Sequence, residues 1–227
     1  MLEHTHVSYT CARGAKICDR ATRSILRYDE MNSPPHYNIL GKDPFCNDDY
    51  SISSITMADA EPIRTWRNEQ MSALRQNQPL TKKHQENYFQ QLIENDFGMI
   101  QPEQILVRFC HKKKLIGYGG FVHIDWINLS SEISFLLETA YTQDHDNYSY
   151  LLCVFFDLIK KVAFEKLGFH KLTTESYAHR GYHVSAIERA GFKREGILRK
   201  HVIIEGEWTD AILASCLLSD YVEQQGK

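Results

Sequence analysis

The stretch Glu132-Ile-Ser-Phe-Leu-Leu137 decides the fold, together with the segments that follow it. Polar and apolar residues alternate over its first four positions and two leucines follow, which predicts a β-strand. A polar loop follows at residues 139–147, and an apolar helix is predicted at residues 148–167, where Gly168 ends it. Residues 171–177 predict the next strand. This mixture of strands with a long buried helix indicates an α/β domain.

Both flanks of this stretch contain further regular elements. On the amino-terminal side, a strand is predicted at residues 50–56, followed by a helix at 58–74 and a second helix that Thr81 caps. A β-hairpin with a lysine-rich turn follows at residues 104–124. On the carboxyl-terminal side, a short helix and two strands are predicted at residues 182–190, 192–204 and 207–217.

The resulting order of elements is β-α-α-β-β-β-α-β-α-β-β. It is neither a repeat nor a doubly wound pattern. The chain contains no glycine-rich dinucleotide motif and no P-loop, so nothing in it favours those two functions.

Composition limits the functions that need to be considered. The chain has 227 residues, of which 43% are apolar and 24% charged, and its net charge is −3. These values are typical of one globular domain and give no reason to expect nucleic acid as a partner. No apolar run is long enough to cross a membrane, so no membrane partner is expected either.

The cysteines and the amino terminus bear on the compartment and on metals. None of the six cysteines forms a CxxC pair or a zinc-type cluster with histidines, so no metal is expected. The amino terminus lacks the pattern of a secretory signal, and we expect a cytoplasmic protein with reduced thiols.

The first thirty residues differ from the rest of the chain. They show neither helical nor strand periodicity, and Met31 then opens a proline-containing segment. We expect residues 1–30 to be a disordered extension or a non-native start, with a functional arm as the alternative. Residues 31–49 are then a lead-in, 50–220 a single domain and 221–227 a tail.

Four segments resemble the GNAT superfamily of N-acetyltransferases over about residues 50–220. The resemblance is closest to the branch of ribosomal-protein alanine and amino-sugar acetyltransferases. The segments are Ile63-Arg-Thr-Trp-Arg-Asn68 with the helix after Thr81, Ile116-Gly-Tyr-Gly-Gly120, Glu132-Ile-Ser-Phe-Leu-Leu137, and Ala190-Gly-Phe-Lys-Arg-Glu-Gly-Ile-Leu-Arg199 with Gly206-Glu-Trp-Thr-Asp210.

The resemblance implies a fold class, α/β or α+β, in which a mixed and mostly antiparallel sheet of about seven strands carries helices on both faces. Two neighbouring parallel strands splay apart in this fold, and by position they are residues 132–137 and 171–177. A backbone N–H near Phe135, Leu136 or Leu137 would then polarise the thioester of acetyl-CoA, the implied co-substrate.

The family's loop for the pyrophosphate of CoA has no counterpart in this chain. The corresponding residues 142–150 contain no glycine and carry two aspartates. The helix amino terminus remains, so Asn147, Tyr148 and Ser149 are its expected phosphate contacts. Arg180 could offset phosphate charge that the altered loop no longer handles. The alternative is that the loop has lost CoA.

Proton transfer also departs from the family pattern. The tyrosine that serves the family as an acid is missing, because Ile187 stands at its position. Tyr182 and His183 compete for the acid role. Glu132 and His123 compete for the base role, since each begins or ends a strand near the splayed pair. A surface carboxylate and a surface histidine are the alternatives for these two.

The acceptor site is expected beside the first helix. Trp66, Arg67 and Asn68 are candidate substrate contacts, and Arg67 could grip a phosphate of a nucleotide-linked sugar. The alternative is that Trp66 is a core residue and Arg67 a surface ion-pair partner. Glu175 lies on the second splayed strand and is expected to face the acceptor.

Three functions therefore remain open. The first is acetyl transfer from acetyl-CoA to the primary amine of a small molecule, an amino sugar or a nucleotide-linked amino sugar. The second is acetylation of protein or peptide amino termini. The third is a non-catalytic acyl-CoA or ligand-binding module. A homodimer is compatible with each of them.

Overall fold

A computed structural model describes residues 35–226; the expectations for residues 1–30 and for Met31 lie outside this part of the chain. One mixed sheet contains eight strands in the order β1-β2-β3-β4-β5-β6-β8-β7. The strands are β1 Phe45–Asn47, β2 Tyr50–Ser54, β3 Ile105–His111, β4 Lys114–Asp125, β5 Ser130–Leu137, β6 Lys171–Tyr177, β7 Lys193–Ile204 and β8 Glu207–Leu217. The α-helices are α1 Ala60–Glu69, α2 Lys82–Asp96, α3 His145–Lys161, α4 Gly181–Arg189 and α5 Leu218–Gln225.

All neighbouring strands run antiparallel except β5 and β6, which are parallel. Their pairing covers only Ser130↔Lys171, Ser131↔Leu172 and Glu132↔Thr173. Beyond Glu132 the two strands separate, while β6 stays paired with β8 along its whole length. The predicted fold class and its splayed parallel pair are confirmed.

Ordered elements also lie in the predicted lead-in and tail. The sheet has eight strands, against about seven in the predicted fold class, because the lead-in contributes β1. Tyr37, also in the lead-in, is fully buried and packs on Phe97 with ring centroids 4.3 Å apart. The expected tail begins inside α5, whose Tyr221 packs on Phe164. Both segments are too short to show a periodic pattern, and tertiary packing orders them.

Helices cover both faces of the sheet, and the side chains of β5 show which face is which. Phe135 points towards α3, where its ring lies 4.8 Å from that of Phe155 and 6.1 Å from that of Tyr148. Side chains alternate along a strand, so Glu132 and Ser134 point to the opposite face, beneath α1 and α2. We call these the α3 face and the α1 face.

The turns follow the predicted glycines. After α3, a π-helical segment Val162–Lys166 leads to Gly168, which has a φ of +70°. Gly191 ends α4 with a φ of +90°, and Glu205 and Gly206 form the β7–β8 turn with φ values of +52° and +88°. Thr81 caps α2 by accepting a hydrogen bond from the His84 N–H.

The described residues include free cysteines inside the domain, and their helices are short or polar. Cys110 and Cys216 are buried and Cys153 is half-buried, all as free thiols. Over residues 35–226, no helix has the length and apolar character needed to cross a membrane.

Gly119 lets three layers of the domain approach closely. A Cβ at this position would collide with the Ser134 carbonyl oxygen of β5 and would come within 2.8 Å of Phe155 Cζ on α3. The glycine-rich stretch in β4 is therefore a packing requirement, since the helix and the neighbouring strand occupy the space that a side chain would need.

We predict that Gly119→Ala lowers the free energy of unfolding by about 3 kcal/mol, because the overpacked backbone must shift. The matched control is Gly196→Ala in β7, where an added Cβ meets nothing within 4 Å. Urea denaturation of the two variants measures the difference. Equal stability of both would contradict the close approach.

Candidate active site

A cavity of about 240 Å³ opens where β5 and β6 separate. Its walls come from both faces of the sheet, because the gap between the strands passes through it. On the α1 face the walls include Glu132 and Glu175, and on the α3 face they include Phe156 and His183. The cavity therefore connects two surfaces that the sheet otherwise separates.

Two carboxylates and one guanidinium form the α1 face of this cavity. Arg75 Nη2 lies 3.1 Å from Glu132 Oε1 and 2.9 Å from Glu175 Oε2, so one side chain bridges both splayed strands. Partial burial lowers the pKa of Arg75, but the charges of Glu132 and Glu175 outweigh that effect, and the pKa is raised overall. With Arg75 in place, the three charges leave one net negative charge.

A histidine approaches each carboxylate from a strand irregularity. His123 Nδ1 lies 3.0 Å from Glu132 Oε2, and the side chain belongs to a bulge in β4 where His123 has a φ of +50°. His201 Nε2 lies 3.7 Å from Glu175 Oε1. His201 lies within a bulge in β7, and Asp210 holds this bulge by accepting a hydrogen bond from the Lys200 N–H. Bulges of this kind re-aim side chains towards a site.

The carboxylate of Glu175 is incompletely satisfied. Its Oε1 is buried and makes no hydrogen bond within the described residues, because 3.7 Å to His201 is too long for one. A buried charged oxygen without a donor is costly unless a ligand supplies the donor. This atom therefore indicates a site for a cation or another hydrogen-bond donor.

The α3 face of β6 offers two unsatisfied hydroxyls. Thr174 Oγ1 and Ser176 Oγ are buried at the cavity and have no hydrogen-bond partner among residues 35–226. They alternate with Glu175 along the strand and so point the other way. Two hydroxyls in a row beside an open strand edge suit a ligand that carries amide groups.

Tyr148, His183 and Arg180 form a hydrogen-bonded chain on the same face. The Tyr148 hydroxyl lies 2.7 Å from His183 Nδ1, and Arg180 Nη2 donates to that hydroxyl at 3.2 Å. Arg180 can only donate, and the described residues offer the buried Tyr148 hydroxyl no other acceptor. The hydroxyl proton is therefore assigned to the bond with Nδ1, which leaves His183 with its proton on Nε2.

Burial fixes the charge states in this chain. Burial, with the neighbouring charge of Arg180, lowers the pKa of His183 well below its usual range. Burial likewise raises the pKa of Tyr148 to about 12. Both rings are neutral at pH 7, so His183 can donate a hydrogen bond from Nε2 but is a poor source of a full proton there.

The amino terminus of α3 is already capped. Asp144 Oδ1 accepts hydrogen bonds from the backbone N–H groups of Asp146 and Asn147, and the Tyr148 N–H bonds to the Asp144 carbonyl. A side-chain carboxylate thus occupies the position where a helix amino terminus would hold a phosphate. Tyr182, next to this end, stacks on His145 with ring centroids 4.0 Å apart.

A second cavity of about 290 Å³ adjoins the first on the α1 face. The two share Arg67, Val122 and Ser134 in their walls. Arg67 donates from Nη1 to the Tyr118 hydroxyl at 2.7 Å and from Nε to Gln76 Oε1 at 3.0 Å.

The structure brings seven of the fifteen predicted site residues together in the wall of the first cavity and leaves the others outside it. Those that line the first cavity are Glu132, His123, His183, Phe135, Arg180, Arg67 and Glu175. Tyr182 lies beside it, and Leu136 and Leu137 are core residues. Trp66 is also in the core, while the Asn68 side chain bonds to Leu80 and Gln76 and so fastens the loop after α1.

Sequence reasoning missed Arg75, His201, Tyr118 and Gln85. Arg75 lies in an irregular loop that carries no pattern. Asp210 could have indicated His201. Its spacing after Gly206 is part of the family resemblance, but the sequence does not show that Asp210 holds the bulge in β7. No group of residues suited to hold a metal ion occurs in the described part of the chain.

The fold and its open parallel pair define an acyltransferase of the GNAT class. The family of the acetyltransferase (GNAT) domain matches residues 52–213. The chain belongs to this family and is an N-acetyltransferase by class. No match was found among curated protein sequences.

Solved structures share this fold. Spermidine N-acetyltransferase from Vibrio cholerae, in complex with CoA and spermine, is 20% identical, with a TM-score of 0.66 over 78% of this chain and 99% of that chain. A chimera of that enzyme with hSSAT is 19% identical, with a TM-score of 0.64 over 77% and 98%. A dodecameric structure of the Vibrio enzyme is 18% identical, with a TM-score of 0.60 over 78% and 99%.

The buried neutral His183 makes stability depend on pH. The pKa of His183 is lowered by folding, so the unfolded chain binds a proton below about pH 6.5 that the folded chain does not. Its contribution to stability is therefore complete above that pH and is lost as the pH falls towards the folded-state pKa.

We predict that His183→Gln flattens the fall in unfolding free energy below about pH 6.5 by up to 1.4 kcal/mol per pH unit, the limit for one proton. Urea denaturation across this range measures the slope, with exposed His170→Gln as the control. Identical slopes for wild type and His183→Gln would contradict the lowered pKa, because they would show that His183 binds protons equally in the folded and unfolded chains.

Proposed function

We propose that this protein transfers an acetyl group from acetyl-CoA to the primary amine of a small molecule, such as an amino sugar or a nucleotide-linked amino sugar. One observation carries the proposal. The gap between β5 and β6 has unsatisfied polar atoms on both of its faces, hydroxyls on the α3 face and a carboxylate on the α1 face. A donor and an acceptor can thus meet from opposite sides.

The residues on the α3 face fit the arm of CoA. Thr174 and Ser176 would form hydrogen bonds with its amide groups. The unpaired edge of β5 beyond Glu132 would offer further hydrogen bonds to the same arm. The bound donor supplies an activated acetyl thioester. Because Asp144 already caps α3, we expect the phosphates to bind Arg180, which contacts Tyr148 near that helix end.

The residues on the α1 face fit a cationic amine. Glu132 and Glu175 would bind the ammonium group in place of Arg75, and Glu132 would take its proton, directly or through a water. His123, hydrogen-bonded to Glu132 and exposed, can pass that proton to solvent. His183 would donate a hydrogen bond from Nε2–H to the reacting carbonyl oxygen or to the departing sulfur. As the C–N bond forms the C–S bond breaks, and the CoA thiolate would take its proton from solvent.

Cavity size favours a small acceptor over a protein terminus. The two adjoining cavities have volumes of about 240 and 290 Å³, which suit a small molecule better than an extended peptide. A spermidine-like amine is a further candidate, given the substrate named for the structural neighbours. On the basis of the sequence, the proposal also includes a cytoplasmic location and a homodimer.

The first test is acetyl transfer itself. The full chain is incubated with acetyl-CoA and a panel of amino sugars, nucleotide-linked amino sugars, spermidine and amino-terminal peptides, and release of the CoA thiol is followed. We expect turnover with small amines, and we expect Glu132→Gln to lower kcat/KM by about 100-fold or more, because it removes the base.

Glu188→Gln is the control, since this carboxylate is exposed and pairs with Arg194 away from the cavity. Turnover of peptides alone would contradict a small-molecule acceptor and would indicate a protein amino terminus as the acceptor. Binding of acetyl-CoA without any turnover would instead support the non-catalytic module.

The second test concerns the phosphates of the donor. If Arg180 binds them, Arg180→Met should raise the KM for acetyl-CoA about tenfold more than the KM for S-acetyl-pantetheine, which has no phosphate. An equal rise for both donors would mean that Arg180 acts only through Tyr148. Steady-state kinetics with one acceptor separates the two outcomes.

A further inference from the structure

The second cavity contains an arginine that has no acidic partner. It lies between α1, α2 and the sheet, and it meets the first cavity at Arg67 and Ser134. Among residues 35–226, Arg67 forms no ion pair, although the arginines next to it in sequence, Arg64 and Arg75, each pair with a glutamate.

The orientation of Arg67 is fixed by neutral partners. Its Nη1 is held by the Tyr118 hydroxyl and its Nε by Gln76, which in turn is held by Asn68. Nη2 has no acceptor among the described residues. A half-buried guanidinium that is held in place and not neutralised is suited to bind an anion, because little ordering remains to be done when the anion arrives.

Gln85 provides a second and independent observation. Its side chain lines the same cavity and is 5% exposed, and no hydrogen bond links its amide group to another of the described residues. An amide group that lines a cavity and has no protein partner can donate a hydrogen bond to an anion there. No aspartate or glutamate lines this cavity, so nothing there opposes a negative charge.

The two carboxylates and the unpaired guanidinium therefore lie at different ends of the two joined cavities. Glu132 marks the end that suits an ammonium group, and Ser134, two residues further along β5 and on the same face, lines the end that contains Arg67. Two residues span roughly 7 Å along a strand. An acceptor that filled both ends would carry an amine and, several bonds away, an anion.

Building on the proposed function, we infer that the acceptor is a small amine bearing a carboxylate or phosphate group, and that Arg67 and Gln85 bind this anionic group in the second cavity. This class differs from a polyamine, whose second charge would be positive. It also gives the second cavity a role in choosing the acceptor.

Matched acceptors test this inference. 6-Aminohexanoate is compared with 6-aminohexanamide, and glucosamine 6-phosphate with glucosamine, so that each pair differs in the anionic group alone. We expect the anionic member of at least one pair to have the higher kcat/KM, and the pair that responds identifies carboxylate or phosphate. In Arg67→Met that preference should fall about 30-fold, the loss typical of a charged hydrogen bond.

Arg64→Met is the control, since Arg64 lies on the same helix but pairs with Glu61 outside the cavity. It should retain the preference. Transfer to amines without any preference for the anionic members, or a preference that survives Arg67→Met, would overturn the inference and leave the proposed function intact.

A binding measurement decides the inference even if no acetyl transfer occurs. Calorimetry measures the Kd of 6-aminohexanoate and of glucosamine 6-phosphate for the wild type, Arg67→Met and Gln85→Leu. We expect weaker binding of the same anionic compound in both variants. Unchanged binding in both, or no binding to the wild type, would overturn it.

Discussion

The separation of β5 from β6 after three residue pairs is the constraint on which the site depends. Each strand is held along its other edge, β5 by β4 and β6 by β8, so the gap cannot close without breaking a second ladder. Polar atoms at the gap must then find partners elsewhere, and each buried atom left without one costs about 1–3 kcal/mol. The fold accepts this cost at the place where ligands can offset it.

Alternation of side chains divides that gap into two chemistries. Thr174 and Ser176 point to the α3 face, where Tyr148 and His183 are kept neutral by burial. Glu175, between them in sequence, points to the α1 face and its charged groups. One strand therefore presents hydroxyls to one ligand and a carboxylate to the other, and a shift of one residue in its pairing with β8 would exchange them.

The sequence predicted the splayed strands and the part of the cavity wall that lies on them, because residues on regular elements are assigned to a face by their alternation. Glu132 and Glu175 are examples. It could not predict Arg75 or His201, whose positions depend on a loop and on a bulge. It also listed Asn68 with the substrate contacts, whereas the loop after α1 uses that side chain to position Gln76. Alternation does not show whether a polar side chain serves a ligand or a loop.

The same limit applies at the start of α3. The sequence places two aspartates near a helix amino terminus, where their charge would repel a phosphate, but one of them, Asp144, caps the helix. A carboxylate there both satisfies the free N–H groups and partly offsets the positive end of the helix dipole. Whether an aspartate caps the helix or faces a ligand depends on its side-chain rotamer, which the spacing of residues in the sequence does not determine.

Arg75 influences how tightly the site can bind its acceptor. Its guanidinium occupies the position between Glu132 and Glu175 that a cationic acceptor would take. Because Arg75 is tethered, its effective concentration there is high, on the order of millimolar or more, and a lone ammonium group competes poorly with it. An acceptor that also binds Arg67 would bring a second contact to offset that competition. The internal ion pair would thus favour acceptors that reach both cavities over simple amines. Only such acceptors gain more binding free energy than is lost when Arg75 leaves its two glutamates.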